Sequence, residues 1–195
     1  MVSAITNLSP AQISSLSTAN IASLTTADIS AMTTSQVQAL TTTQVQALQV
    51  GQLVFSAAQL QVLSNAQIGA LETTDLNALS ATQVGSLTTQ QIGWLTTTQV
   101  AALSTTDARE FTKTQIGALG TDQLAALGTD KLSVLTATQV GGLTTDQLST
   151  LSTSNLSALT SSQLGGLGAT QVKSLTTTQL NALSTADINE FSATQ

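Results

Sequence analysis

Twenty-four large apolar residues mark this chain like a ruler, from Leu8 through Leu16, Leu24, Met32, Leu40 and Leu48 to Phe55, Leu63 and on to Phe191. Of the 23 intervals between them, 22 are eight residues long and one, Leu48 to Phe55, is seven. A fixed period of this kind is the mark of a repeat architecture, in which each unit folds only against its neighbours. We letter the octad a to h with the anchor at a. Position f, three residues before the next anchor, is Ile, Val or Leu in every full-length copy except at Ala108, and h is usually Ala, Gly or Ser.

The polar letters fix where helices start. Position b is almost always Ser or Thr, and e is mostly Gln, with Asp or Asn in some copies. A hydroxyl followed three residues later by a carboxamide or carboxylate is a capping box: the hydroxyl accepts from the N3 amide and the longer side chain reaches back to the N-cap amide. The anchor then falls at N′ and f at N4, the pair that forms a hydrophobic staple, as with Leu8 and Ile13. The single proline, Pro10, takes N1, where a missing N–H costs nothing. Asp28, Asp75, Asp107 and Asp187 stand at N3, and Asp122, Asp130 and Asp146 at N2, close to the positive end of a helix.

One continuous helix is excluded, because the apolar stripe would rotate by about 80° per octad and no partner could cover it. A flat strand is excluded too, since a and f would point to opposite faces. The pattern predicts an all-α fold: residues 1–195 form a single narrow solenoid of short capped helical turns, one per octad, with a and f inside and c, d and g outside. An octad cannot stand alone. Two buried apolar side chains contribute roughly 1.5–3 kcal/mol each, against a cost on the order of 12 kcal/mol for ordering eight residues.

The departures are few. The short repeat, "QVGQLVF" at 49–55, replaces the cap hydroxyl with Gln49 and is read as a packed irregularity that bends the solenoid, the alternative being a hydrophobic contact site. Segments 25–32, 104–111 and 184–191 ("TTADISAM", "STTDAREF", "STADINEF") suggest a ten-octad unit superimposed on the octad, read as duplication history or, alternatively, as a bulky residue marking a regular contact between subunits. Trp94 occupies an h position normally held by a small residue and is read as a packing contact, the alternative being a sticky point on the surface. Glu72, Gly120, Gly128 and Gly168 replace cap hydroxyls by drift, and Arg109, Glu110, Lys113, Lys131 and Lys173 are scattered solvated charges.

Composition argues against chemistry. The chain has no His, Cys or Tyr and only 7% charged residues, where globular chains carry about 25%. The commonest general base, the thiol nucleophile and the best transition-metal ligands are therefore missing. We expect no enzyme, no catalytic, cofactor-binding or metal site, and no cofactor. A net charge of −6 from 4 basic and 10 acidic residues cannot neutralise a row of phosphates, so nucleic acid is not an expected partner. No apolar run reaches the 18 or so residues of a membrane span, and the first residues show no signal peptide.

The motif L-[ST]-[TSA]-x-[QD]-[ILV]-x-[AGS], seen in "LTTTQVQA" at 40–47 and "LTTTQVAA" beginning at Leu95, resembles octapeptide arrays of very large bacterial secreted and surface proteins, often described as adhesins or haem-utilisation proteins. The resemblance implies an extracellular repeat region and brings no catalytic or ligand residue. Haem has no His or Cys here, and only Met1 and Met32 as axial ligands. The expected function is a structural one: an extracellular fibre, spacer or surface layer. Because "ITNLSP" and "EFSATQ" are ordinary repeat material, the chain is either a piece of a longer array or assembles with copies of itself, head to tail, through uncapped ends. The alternative is a binding module whose rows of Thr, Ser and Gln meet a glycan or ice surface.

Overall fold

The computed structural model of the chain describes residues 4–192 and Gln195. Among these it contains α-helices and two 3-10 turns and no strand. The α-helices are four to six residues long except for Thr121–Ser133, which fuses two octads. The fold is thus the expected helical repeat. The residues group into two compact units, Met1–Leu95 and Thr96–Gln195.

Most helices start as the capping boxes require. In the first, the Ser9 N–H donates to Gln12 Oε1 at 2.8 Å and the Gln12 N–H donates to Ser9 Oγ at 3.3 Å. The same exchange recurs with Asp at e, where the Thr25 N–H donates to Asp28 Oδ2 at 2.8 Å. The cap residue is extended, as at Thr33 with φ −72° and ψ 159°. The helix ends when the anchor N–H donates to the f carbonyl in an i→i−3 bond, as from Leu40 to Val37 at 3.2 Å. The anchor itself often turns extended, with φ −61° and ψ 140° at Met32. Two successive extended residues, a and b, redirect the chain once per octad, and even the long element Thr121–Ser133 is interrupted by a kink at Gly128.

Within each unit, successive coils stack helices three octads apart. In the first unit Pro10–Ser14 packs on Thr34–Gln38, and Asn65–Ala70 on Thr89–Trp94. In the second, Ala137–Val140 packs on Ser161–Gly165, and Ser161–Gly165 on Thr185–Glu190. The f side chains form the innermost row, with Ile13, Ile21, Ile68, Leu124 and Leu164 all 0% exposed, and the anchors lie beside them. Position h is small because it meets backbone. A Cβ on Gly142 would collide with the Lys113 carbonyl oxygen, and one on Gly166 would stand 2.5 Å from the Ala137 carbonyl oxygen. Trp94, at the same letter, is half-buried.

Two irregularities acquire physical reasons. Gly120 and Gly168 adopt the ordinary extended cap conformation, φ −66° and −80°. Gly128 does not: its φ of +70° lies where a Cβ is unfavourable, so here the glycine is required by the backbone rather than a product of drift. In the short repeat, the chain makes a 3-10 turn at Val50–Gln52. Gln52 keeps the e role by accepting from the Gln49 N–H at 2.6 Å, and buried Leu53 takes the f role. The missing residue is therefore one of the pair between f and a. Val50 and Val54 are left 50% and 39% exposed.

Candidate functional site

The polar feature that organises both units is a ladder of buried glutamines at position e. A carboxamide has one acceptor and two N–H donors, and the capping box uses only the acceptor. The remaining nitrogen is spent on the coil before. Gln44 Nε2 donates to the carbonyls of Ile13 and Leu16, both at 2.8 Å, 31 and 28 residues earlier. Gln36 does the same to Ile5 and Leu8, and Gln91 to Leu60 and Leu63. In the second unit Gln147 reaches Ile116 at 3.1 Å and Leu119 at 2.6 Å, and Gln179 reaches Leu148 and Leu151.

The acceptors are the f and a carbonyls, which end each helix and have no full intrahelical partner. One glutamine thus caps the start of its own helix and the end of another. With helices stacked 24 residues apart and the ladder running 28, one coil takes between three and four octads. Where the ladder spans the short repeat its offset drops by one: Gln59 reaches Met32 and Gln67 reaches Leu40, each 27 residues back. The chain keeps the bond and gives up the residue count.

Sequence reading recognised the acceptor half of this arrangement and missed the donor half. The missed signal was the preference for Gln over Asp and Asn at e. Asp and Asn serve the cap, but neither can bridge as Gln does. Asn155 approaches only the Ala125 carbonyl, at 3.5 Å. Asp187 is half-buried, and although burial works against its charge, hydrogen bonds from Ser184 and from Ser161 of the coil before outweigh it and hold its carboxyl below the usual range. Asp75 is 2% exposed, and burial, reinforced by the neighbouring Glu72 carboxylate, pushes its pKa above the ordinary value of 3.8 against the hydrogen bond from the Glu72 N–H.

The ladder's register sets Asp75 opposite the carbonyls of Val45 and Leu48, where only a donor is useful. An ionised carboxylate at that point is a cost present above the raised folded-state pKa and absent below 3.8, where the group is neutral in both states. Asp75→Gln is therefore expected to stabilise the chain by about 1–3 kcal/mol at pH 7 and by less near pH 3. Urea midpoints of the two proteins at both pH values test this; an equal gain at both would refute the ionic part of the argument.

Among the described residues, no three His, Cys, Asp or Glu side chains converge on a point that could hold a metal ion, and no helix is long and apolar enough to cross a membrane. Arg109, Lys113 and Lys173 are exposed, while Lys131 is half-buried with Nζ donating to the Leu127 carbonyl at 3.2 Å. Three open hollows stand out among the described residues. One, of about 450 Å³, adjoins the short repeat beside Val50, Val54 and Phe55. A second, of about 580 Å³, lies among Gly165, Gly166, Glu190 and Gln195. The third, of about 360 Å³, is lined by Ile5, Leu8, Leu16, Asn20 and Leu24.

That third hollow belongs to a face with the ladder half made. Leu8, Leu16 and Leu24 are half-exposed, unlike the later anchors Leu40 and Leu48, and Gln12 and Asn20 are exposed e residues whose oxygens serve the Ser9 and Ser17 caps. In the second unit it is the f row that opens late in the chain, with Val172 half-exposed, Leu180 37% exposed and Ile188 43% exposed. The last ladder bonds run from Gln195 to Gly165 and Leu167.

A stack of capped helical octads, tied coil to coil by side-chain amides, defines a helical repeat protein. The chain belongs to the ALTTAQ repeat family, whose sequence model matches residues 21–54, 68–105 and 116–153, together 110 of the 195 residues. Each match begins at an f isoleucine, Ile21, Ile68 or Ile116, so the family's longer unit is in phase with the octad. No curated protein matches the chain.

Proposed function

We propose that the chain is a non-catalytic structural protein, an extracellular spacer or fibre segment that assembles head to tail with copies of itself. The observation that carries this reading is that each coil inside a unit meets the next by unlike faces, one giving side-chain amides at e and the other the f and a carbonyls. An interface between unlike faces is heterologous and propagates instead of closing into a dimer. The lack of His, Cys and Tyr, and the likeness of the octad to the arrays of bacterial surface proteins, support a passive extracellular role.

Sedimentation velocity over a broad concentration series, with electron microscopy of the same samples, tests the assembly. The expected result is a species that lengthens with concentration at constant width. Single particles of unchanged sedimentation coefficient at every concentration would refute it.

A further inference from the structure

The amide ladder fastens one coil to the next, and it is not uniform. In the second unit Gln139 Nε2 donates to the Ala108 and Phe111 carbonyls at 3.1 and 2.7 Å, and Gln163 Nε2 to those of Leu132 and Leu135 at 3.0 and 2.5 Å. Backbone bonds such as that from Leu40 to Val37 stay inside one octad. With no cysteine in the chain, no disulfide locks coil to coil.

Two rungs are weak. In the first unit Asp75 has no N–H to give, while Gln67 and Gln83, one octad to either side, both donate to the coil before. In the second unit Asn155 is one methylene shorter than Gln and approaches only the Ala125 carbonyl, at 3.5 Å. The Leu127 carbonyl, which the ladder register assigns to it, accepts from Lys131 Nζ at 3.2 Å instead. Asp187 also lacks a donor, but Ser161 Oγ donates to it across the same gap at 2.9 Å. The 80 residues from Asp75 to Asn155 are ten octads, the same interval as from Phe111 to Phe191, so the weak rung follows the longer period.

Tension along the axis of a unit pulls successive turns apart, and the bonds between them are loaded a few at a time, as in a zipper. The ladder offset puts about 28 residues in each turn. At 3.3–3.6 Å per extended residue, less the ~10 Å of a packed helix layer, a turn that parts lengthens the chain by roughly 80–90 Å. Its partners lie only 28 to 31 residues away, so a freed turn closes again without a long search. Stability in such an array is a sum of repeat and nearest-neighbour terms, and parting begins where the neighbour term is smallest.

We propose that each unit is an extensible element that lengthens coil by coil under tension, with the weak rungs at Asp75 and Asn155 as its parting points. This deepens the spacer reading and does not depend on a joint between copies.

Thiols introduced by Thr98→Cys and Asn181→Cys, both exposed in the second unit, carry DNA handles that hold one full chain at constant force in optical tweezers. The expected record is a series of reversible steps of about one coil each. Asn155→Gln should lengthen the mean dwell before the first step about fivefold, the effect of one net hydrogen bond. Gln163→Asn, which copies the short amide one octad on, should shorten that dwell by a similar factor. Circular dichroism spectra of both variants should match the parent. A single jump releasing the whole span between the handles would overturn coil-by-coil extension. Steps whose first dwell is the same in the parent and both variants would overturn the parting point. Both results leave head-to-tail assembly untouched, because the molecule is held alone.

Discussion

Gln147→Glu is expected to destabilise the chain by about 3–5 kcal/mol at neutral pH, the range for leaving one uncompensated charge buried, and to recover most of that loss on acidification. Gln147 is 2% exposed. Its oxygen accepts from the Thr144 N–H at 2.7 Å, and its nitrogen donates to the Ile116 and Leu119 carbonyls. A glutamate has nearly the same shape and keeps the cap, but it sets a carboxylate oxygen against two carbonyl oxygens in the absence of water. Its folded-state pKa must therefore rise above the unfolded value of about 4.3. The penalty is present above the raised pKa and disappears below the unfolded one, where the neutral acid can donate a single bond. Urea unfolding of the variant and the parent at pH 7 and pH 3.5 measures the difference. A loss under about 1 kcal/mol at pH 7 would mean that the ladder contributes little to the fold.

Leu148→Ala should cost a comparable amount, about 2–5 kcal/mol, the range for truncating a buried leucine. Leu148 is an f residue at 0% exposure, and its carbonyl also accepts from Gln179 Nε2. The chain carries a natural precedent for compensation. Ala108 is likewise 0% exposed at f, and its anchor three residues on is Phe111, 3% exposed. Adding Leu151→Phe to Leu148→Ala copies that pairing and should recover about 1–2 kcal/mol, a coupling typical of residues that share a cavity. Additive effects in a four-way thermal unfolding cycle would show that the two positions do not fill the same space.

How much of this was legible depends on the range of each interaction. The capping box is confined to four residues, so Ser9 with Gln12, or Thr41 with Gln44, announces a helix start without reference to anything else. The bend after each helix follows from the same local rule, because a fresh cap at b must be extended and the anchor before it turns extended as well. The buried f and a rows follow from their spacing on a one-turn helix. Even the helical class could be read once a single rod and a flat strand had been excluded by rotation and by parity.

The other half of each glutamine could not be read in this way. Gln44 spends its nitrogen 28 and 31 residues away, and that distance depends on how tightly the coil winds. The winding is in turn fixed by backbone-to-backbone approach at positions such as Gly142 and Lys113, which no local pattern states. The requirement for glycine at Gly128, beside the interchangeable Gly120 and Gly168, is also visible only in the backbone angle. What the octad alone determined is therefore the start, end and inward face of every helical turn, since those are settled by neighbours in the chain. What only the folded coil decided is which turns touch, because that depends on the close packing of backbone on backbone and on the carbonyls it leaves for an amide to satisfy.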